Sequence, residues 1–360
     1  MTNRSPARPL VVVGAGLSGL VTASILRGQG VEAVLLEARD RPGGRIQTVS
    51  GGDGRGAFER GATWFGPKHP HLVRVAESLG VGRFDQAFEG GGLVDLGPRG
   101  VQSLDFPPPP EPTFRFRGGS SALIDALVAT LAPAQIRYGI RATTLRHRTD
   151  AIEIEVEDGT GRADTIVADR VVTTLPPRLL ARTVDFEPAL PPAVAGVLAG
   201  TPTWMGHAVK FWARYAEPFW RGRGGGFGVA HAGIVEEVHD HSDADGDPFA
   251  LTGFLRPGSH LEDPGRRDER TLDHLARFFG PEATTPLEFD ACSWPHERFS
   301  SDVDAKAVPV GTQYGDPRLW VPQFGGRLLL SGTETSREYG GYMEGAVISG
   351  LRAAAWAAEG

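Results

Sequence analysis

The sequence has 360 residues, of which 40% are hydrophobic and 22% are charged, and its formal net charge is −7. This composition is typical of a soluble globular protein with about two domains or one large α/β unit. The negative charge argues against nucleic acid as the main partner, because phosphate is bound by clustered cationic side chains and none are clustered here. A single cysteine, Cys292, excludes an internal disulfide, and no Cys/His spacing indicates structural zinc.

The chain shows no signal for a membrane or for secretion. Its start, MTNRSPARPL, lacks the apolar core of a signal peptide, and no segment has enough uninterrupted apolar residues to span a bilayer. The thirty-four arginines against three lysines suggest a GC-rich genome. We therefore predict a cytoplasmic bacterial protein without a membrane anchor.

The N-terminal segment reads as a strand, a glycine turn, a helix and a second strand. After the β-branched run Val11–Val13, the turn has GxGxxG spacing at Gly14, Gly16 and Gly19. In such a turn the first glycine permits the tight bend, the second lets the backbone approach a pyrophosphate, and the third lets helix pack on strand. The free N–H groups of the helix N-terminus attract the anion.

An acidic residue, Glu37, closes the second strand, where its carboxylate can accept hydrogen bonds from both ribose hydroxyls of an adenosine. With strand, helix and acid all in register, the segment predicts dinucleotide binding. Its predicted ligand contacts also include Ala15, Ser18, Ala38 and Arg39.

Two further glycine turns favour FAD over NAD as the dinucleotide. The segment EARDRPGGRIQT places Gly44 and Arg45 just after the ribose-binding acid, so that backbone and guanidinium can meet the diphosphate from its far side. The segment ERGATWFG repeats the device, with Gly61 and Ala62 small enough to lie beside a flat ring and Thr63 and Trp64 next to them. The alternative is that both segments are surface turns.

Motifs along nearly the whole chain resemble those of the flavin-containing monoamine oxidase family of FAD-dependent amine oxidoreductases. Besides the N-terminal unit and RPGGR, they are FRGGSSALIDALVATL, VVTTLPP, VKFWARYAEPFW, TQYG and SGTETSREYGGYMEGAVISG. The resemblance implies an α/β fold, with a Rossmann-like FAD-binding domain of the amine oxidase/glutathione reductase type and a smaller α+β substrate domain. It assigns residues 1–66, 118–185 and 299–360 to the FAD-binding domain, and residues 67–117 and 186–298 to the substrate domain.

The resemblance also implies further FAD contacts. Gly332 and Glu334 match the strand end that meets the ribityl chain, and Ala142 matches a position whose backbone meets the adenine. Met343 lies at the start of the last predicted helix, 342–358, whose positive end would face the flavin pyrimidine. Other predicted elements are a helix over 118–132 and strands over 135–145 and 152–157.

Lys210 stands in an apolar run with strand character and matches the lysine that, in this family, holds a water against flavin N5 and assists the reaction with oxygen. A cation there would stabilise the charge that develops as an electron passes to oxygen. The alternative is a strand-edge lysine whose stem packs on aromatic neighbours while its ammonium reaches solvent.

Tyr342 matches one wall of the aromatic cage that guides amines to the flavin. The other wall and the cysteine that bonds FAD covalently belong to the segment that here reads SSDVDAKAVPVG, which has neither residue, and Cys292 lies too far upstream. We therefore predict non-covalent FAD and at best half a cage, with Tyr342 alone or aided by Trp294. Trp294 matches a flavin-contacting tryptophan; its alternative role is core packing.

The region over the substrate site is short. Residues 81–113 replace a long helical insert of larger family members, which implies a shorter cap and a more open site. Residues 107–110, four prolines, form either a stiff polyproline strap or a plain spacer. The segment 238–247, VHDHSDADGD, lacks the spacing of a calcium loop, so we expect a solvated acidic loop and no metal.

The sequence thus predicts an FAD-dependent amine oxidase that uses O2 as acceptor and releases hydrogen peroxide, with a small-molecule amine as substrate. Two alternatives remain open. One is a flavin dehydrogenase, desaturase or amino acid oxidase of the same superfamily. The other is a non-catalytic FAD-binding protein.

Overall fold

The computed structural model describes residues 8–88, 91–105, 107, 110–301, 308 and 312–359. In these residues the α-helices are Leu17–Gly28 (α1), Pro70–Ser78 (α2), Ser121–Ala129 (α3), Pro177–Thr183 (α4), Pro192–Gly200 (α5), Pro264–Phe279 (α6) and Met343–Ala358 (α7). The strands are Leu10–Val13 (β1), Ala33–Leu36 (β2), Thr48–Val49 (β3), Phe58–Glu59 (β4), Arg83–Asp85 (β5), Gly91–Asp95 (β6), Val101–Asp105 (β7), Phe114–Phe116 (β8), Ile136–Arg137 (β9), Ile140–His147 (β10), Ile152–Asp158 (β11), Ala163–Ala168 (β12), Arg170–Thr173 (β13), Asp185–Glu187 (β14), Val209–Tyr215 (β15), Gly228–Ala230 (β16), Val235–Asp240 (β17), Phe249–Leu255 (β18), Glu288–Ser293 (β19) and Leu328–Leu330 (β20).

Five parallel strands form the central sheet, in the order β20, β13, β1, β2, β9. All four residues of β1 are buried, as expected when both faces of a parallel sheet are covered. Leu10 and Val12 belong to a core shared with α1, α3 and α7, whereas Val11 and Val13 pack toward the antiparallel sheet β12, β11, β10, β14. The predicted Rossmann-like architecture is confirmed, with strands drawn from distant parts of the chain.

A second large sheet contains seven strands in the order β19, β15, β18, β17, β16, β6, β7. Helix α6 packs on it, and every residue of β15, the strand of Lys210, is buried. Between residues 81 and 113, the described residues contain strands and one short 3-10 turn, Gly97–Arg99. In that described part a β6–β7 hairpin extends the sheet where larger relatives were expected to carry helices; part of the predicted strap at 107–110 lies outside the described residues.

The sequence predicted one strand over 135–145, but the structure has two strands there. The chain forms β9 and β10 instead, because it turns at Gly139, which has a φ of +68° that favours glycine. The short β9 joins the parallel sheet, and β10 joins the antiparallel one. The predicted helix over 118–132 is present but shorter, as α3.

The acidic segment 238–247 is only partly the solvated loop that the sequence predicted. Its first residues belong to β17, and the side chains of Asp240 and His241 are buried. Asp240 accepts hydrogen bonds from Trp220 Nε1 at 2.8 Å and from the backbone N–H of Ser242 at 2.7 Å. Among the described residues no group of three or more His, Cys, Asp or Glu side chains could hold a metal ion. No helix in the described ranges is both long enough and apolar enough to cross a bilayer.

One carboxylate joins helix α2 to the last helix, α7. Glu344, in the first turn of α7, is 1% exposed and accepts hydrogen bonds from the backbone N–H groups of His71 (3.1 Å) and Leu72 (2.7 Å) at the start of α2. The same carboxylate lies 2.7 Å from Nδ1 of His71. Glu344 therefore caps α2 and fixes its N-terminus against α7.

This contact yields a stability prediction. Replacing Glu344 with alanine leaves two buried N–H groups without an acceptor, so we expect the free energy of unfolding to fall by roughly 2–4 kcal/mol. The exposed Glu359, at the other end of α7, offers a matched control, and its change to alanine is expected to shift the value by less than about 0.5 kcal/mol. Equal effects of the two substitutions in urea unfolding would contradict the role of Glu344 as a cap.

Candidate active site

A long groove crosses the carboxyl ends of the parallel strands, where α/β sheets bind their ligands. It encloses about 1250 Å³, including the part open to solvent. Predicted site residues on its walls are Gly14, Gly16, Ser18, Glu37, Ala38, Arg39, Gly44, Arg45, Ala62, Ala142, Gly332, Tyr342 and Met343. These come from six separate stretches of the chain, so the fold brings together most of what the sequence singled out.

The three glycines of the first turn have the geometry that their spacing predicts. Gly14 has a φ of +104°, a conformation that favours glycine. A Cβ on Gly19 would lie 2.0 Å from the carbonyl oxygen of Gly14, so only glycine lets α1 approach β1 this closely. By contrast, nothing lies within 4 Å of a Cβ placed on Gly16. The backbone of Gly16 therefore faces open groove at the N-terminus of α1, as a pyrophosphate site requires.

Glu37 is buried just after β2, and its side chain binds the backbone of the first glycine turn. Its Oε2 accepts a hydrogen bond from the N–H of Ala15 and its Oε1 from the N–H of Arg39, each at 2.9 Å. Each carboxylate oxygen can accept more than one hydrogen bond, so capacity remains for ribose hydroxyls on the groove side. The guanidinium of Arg39 donates to Ser300 Oγ at 2.9 Å and lies 3.2 Å from a carboxylate oxygen of Glu297.

The second glycine turn is hydrogen-bonded directly to the first. Gly43 donates to the carbonyl oxygen of Ala15 at 2.8 Å, and both Gly43 and Gly44 have positive φ values. Arg45, which follows, forms a bidentate pair with Glu334, with N–O distances of 2.5 and 3.0 Å. Glu334 has no exposed surface, so the Arg45 guanidinium takes the place of water beside its carboxylate.

The segment Gly61–Trp64 lies directly behind this turn. A Cβ on Gly61 would be 2.0 Å from the carbonyl oxygen of Arg45 and 3.1 Å from Cζ2 of Trp294. Trp294 itself is fully buried and donates its indole N–H to the carbonyl oxygen of Arg60 at 2.8 Å. Any side chain at position 61 would therefore clash with its surroundings, and the ring of Trp294 packs against this glycine.

Lys210 is buried beneath the same segment, with 1% of its surface exposed. Its ammonium donates to the carbonyl oxygen of Gly61 at 2.8 Å and to the hydroxyl of Thr63. It also lies over the rings of Trp64, at 4.8 Å from the centroid, and Phe254, at 5.5 Å. The alternative of a strand-edge lysine whose ammonium reaches solvent is therefore wrong.

Burial lowers the pKa of Lys210 to about 7, an effect that the nearby Glu59 carboxylate opposes and that the Arg115 guanidinium reinforces. Glu59 is buried as well, and burial raises its pKa while Lys210 opposes the rise. The carboxylate of Glu59 accepts hydrogen bonds from the N–H of Ser120 and from the hydroxyl of Thr48. Near neutral pH the ammonium can therefore hold a proton or release it.

Tyr342 stands at the mouth of the groove with 48% of its surface exposed. Its ring stacks on Trp204 at a centroid distance of 5.6 Å and an interplanar angle of 30°. Tyr339 and His69 lie nearby, at centroid distances of 6.5 and 6.2 Å. Trp294, which the sequence offered as a second cage residue, makes none of the ring contacts described for Tyr342, and its cage role stays a prediction.

Several predicted site residues do not line the groove. These are Ala15, Gly19, Gly61, Thr63, Trp64, Lys210, Trp294 and Glu334. Sequence reasoning missed Met205 and the stretch 298–300, which also line the groove. Both are irregular segments without a motif, and only the positive φ of Met205, at +63°, marks one of them in the structure.

Comparisons with known proteins agree with this geometry. The profile of the family described as flavin containing amine oxidoreductase matches residues 17–94 and 86–357. The chain is 25% identical to amine oxidase [flavin-containing] B of Sus scrofa, over 96% of this chain and 85% of that protein. It is 28% identical to a Mycobacterium tuberculosis protein described as a flavin-containing monoamine oxidase, over 99% of this chain and 97% of that one. That alignment runs over 461 positions, so the relative has segments that this chain lacks.

Solved structures share the fold. Cyclohexylamine oxidase from Brevibacterium oxydans IH-35A superposes with a TM-score of 0.83 at 21% identity, covering 98% of this chain and 99% of that chain. A putrescine oxidase bound to putrescine superposes with a TM-score of 0.81 at 19% identity, covering 99% and 100% of the two chains. With the family profile spanning most of the sequence, the chain belongs to the flavin-containing amine oxidoreductase family.

Proposed function

We propose that this member of the family oxidises a small-molecule amine with non-covalently held FAD and passes the electrons to O2. The observation that carries the proposal is the buried ammonium of Lys210, held against the backbone of Gly61 behind the groove. A desolvated cation beside the flavin would stabilise negative charge that develops on oxygen, which simple FAD retention does not require. This favours an oxidase over a non-catalytic flavoprotein, and family membership favours an amine over a desaturase or amino acid oxidase substrate.

The residues that line the groove are those that FAD would need. The open backbone at Gly16 and the N-terminus of α1 would receive the diphosphate, Glu37 the adenosine ribose, and the backbone of Ala142 the adenine. Gly44 and Arg45 would approach the diphosphate from the opposite wall. We assign residues 1–66, 118–185 and 299–360 to this FAD-binding domain, and 67–117 and 186–298 to the substrate domain.

FAD, when bound, accepts a hydride equivalent from the amine-bearing carbon and hands electrons to oxygen. The protein supplies orientation and charge. The ring of Tyr342 presents a π face to the incoming amine, the positive end of α7 begins at Met343, and Lys210 holds a positive charge that stabilises negative charge developing on oxygen. The absence of a cysteine from the segment before TQYG supports a non-covalent cofactor.

The proposed function is tested by adding amines to the purified, yellow protein without oxygen. We expect the flavin absorbance near 450 nm to bleach with at least one primary amine and to return when O2 is admitted, with release of hydrogen peroxide. Acid precipitation of the same sample should leave the flavin in the supernatant. Bleaching by amino acids alone would contradict the proposed substrate class, and flavin retained in the pellet would contradict non-covalent binding.

Lys210 gives a sharper prediction. Replacing it with methionine should slow O2 consumption by the pre-reduced holoenzyme on the order of 100-fold, because a preorganised cation is lost, while FAD content stays unchanged. Lys68 has a side chain that is 62% exposed, so Lys68→Met is the matched control and should leave the rate unchanged. An unchanged rate of O2 consumption in the Lys210→Met protein would show that Lys210 is only a structural residue of its strand.

The pH dependence follows from the same group. Lys210 is protonated below its pKa of about 7, so its positive charge is lost as pH rises through that value. We therefore expect the O2 reaction of the wild type to slow between about pH 6 and pH 9, while reduction by amines accelerates because the free base reacts. A bound anion near Lys210 would move the midpoint upward. The Lys210→Met protein should lose the pH dependence of the O2 reaction, and a persistent slope would assign it to another group.

A further inference from the structure

One face of the seven-stranded sheet carries Lys210 and, two strands away, a carboxylate. Lys210 of β15 lies directly opposite Phe254 of β18. Phe254 in turn lies directly opposite Glu237 of β17. Residues directly opposite each other in antiparallel strands point to the same face, so these three side chains form one row across the sheet. Because neighbouring strands are about 4.8 Å apart, Glu237 lies about 10 Å from Lys210 along this row.

The two faces of these strands differ in how they are covered. Helix α6 packs on the face opposite the row and forms an apolar core with it, which contains Phe211, Val238, Leu251, Leu275 and Phe278. On the face of the row, the side chain of Glu237 is 37% exposed. That of His239, two residues along β17, is 24% exposed. A solute can therefore reach the Glu237 end of the row from solvent, whereas the Lys210 end is buried.

Aromatic rings lie between the two ends of the row. The ammonium of Lys210 is 4.8 Å from the centroid of the Trp64 ring, and that ring is 4.8 Å from the ring of His239. Hydrogen bonds fix the Trp64 indole to strand β17. Its Nε1 donates to Gln86 Oε1 at 3.0 Å, and Gln86 Nε2 donates to the carbonyl oxygen of Asp240 at 2.7 Å. The surface between ammonium and carboxylate is therefore apolar and held in place, as an alkyl chain requires.

The carboxylate of Glu237 has only a histidine beside it. Its Oε1 lies 3.5 Å from Nε2 of His239, and in the part of the chain that the structure describes no lysine or arginine forms an ion pair with it. The contact with His239 lowers the pKa of Glu237, the ammonium of Lys210 adds to this effect, and burial opposes it. Glu237 is thus ionised at neutral pH. By contrast, the carboxylates of Glu334 and Glu344 are already engaged by other groups of the protein.

A β-bulge gives Glu237 its place in the row. Strand β17 has one extra residue between Val235 and Glu237, which lie opposite consecutive residues of β18. A bulge of this kind re-aims the side chains beside it. The extra residue, Glu236, is exposed and has no partner in the pairing. The chain therefore offers a matched carboxylate one position away from Glu237 and outside the row.

We propose that Glu237 binds a second ammonium group of the substrate, so that the protein selects short aliphatic diamines over monoamines of the same length. This inference rests on the proposed amine oxidation. The two charges of the row would also orient a diamine, since Lys210 repels its distal ammonium and Glu237 attracts it. An alkyl ammonium has a pKa of about 10, so the distal nitrogen keeps its proton at neutral pH while the reacting nitrogen must lose one.

The test compares putrescine with butylamine, which has the same carbon chain but lacks the second amine. In the FAD-loaded wild type we expect kcat/KM for putrescine to exceed that for butylamine at least about ten-fold, because a charge-assisted hydrogen bond is added. Glu237→Gln keeps the size of the side chain and removes its charge. It should lower this ratio roughly ten- to hundred-fold, mainly by raising KM for putrescine, and leave the kinetics of butylamine nearly unchanged.

Three further variants sharpen the test. Glu236→Gln is the matched control, and Glu338→Gln removes an exposed carboxylate next to Tyr339, near the mouth of the groove. Both should keep the wild-type ratio. Glu237→Asp shortens the side chain by one methylene, so it should keep the preference for diamines and favour a longer diamine than the wild type does. Flavin content and thermal midpoint establish that each holoenzyme is folded.

The outcomes separate this inference from the proposed function. If no amine reduces the wild type, the proposed function fails. Putrescine and butylamine then bind without turnover, and calorimetry measures the same comparison as a ratio of affinities. Equal affinity or equal kcat/KM for the two amines in the wild type would overturn the inference. So would a ratio in Glu237→Gln equal to that in Glu236→Gln, or loss of the preference in Glu338→Gln, since another carboxylate would then bind the second ammonium.

Discussion

The ammonium of Lys210 lies in the protein interior, where a charge is costly unless polar groups replace its water. Here the replacements are the carbonyl oxygen of Gly61 and the hydroxyl of Thr63, with the ring of Trp64 beneath. The same Gly61 touches the Arg45 turn so closely that no side chain fits. One short segment therefore connects the lysine of the seven-stranded sheet to the groove of the parallel sheet, and the position of each depends on the other.

Buried charge elsewhere around the groove is compensated in the same way. Glu334 is neutralised by Arg45, and Glu37 accepts backbone hydrogen bonds from both of its flanks. Lys210 differs because Glu59 compensates it only in part, which leaves its pKa near neutrality. A charge that is held loosely can respond to chemistry nearby, whereas the paired charges hold the groove in shape. This contrast is the physical basis for proposing that Lys210 is the reactive residue and that the paired residues hold the cofactor.

Local patterns predicted the parts of this molecule in which neighbouring residues determine the structure. The turn around Gly14 and Gly16, the acid at Glu37 and the inward direction of Lys210 all follow from a few adjacent residues. The break at Gly139 was missed because alternating apolar residues on both sides of a glycine resemble one strand. The burial of Asp240 was missed because the Trp220 indole that binds it lies twenty residues away.

The corner formed by His69, Tyr339 and Tyr342 was equally beyond the sequence. Its residues come from the start of α2 and the approach to α7, and their meeting depends on Glu344, which joins the two helices. The sequence showed that one of the two cage tyrosines is missing. It did not show which rings lie near the remaining one, Tyr342. An absent motif can be seen in a sequence, whereas the rings that pack around Tyr342 can be seen only in the fold.

The central claim, that Lys210 is held at the reacting edge of the flavin, is tested most directly by a high-resolution crystal structure of the FAD-loaded protein. The account predicts one ordered water that accepts a hydrogen bond from Lys210 Nζ and contacts flavin N5, with each contact at about 2.7–3.2 Å. The ammonium should still be bonded to Gly61 and Thr63 in that structure. A flavin ring whose N5 lies beyond the reach of a single water from Nζ would contradict the claim.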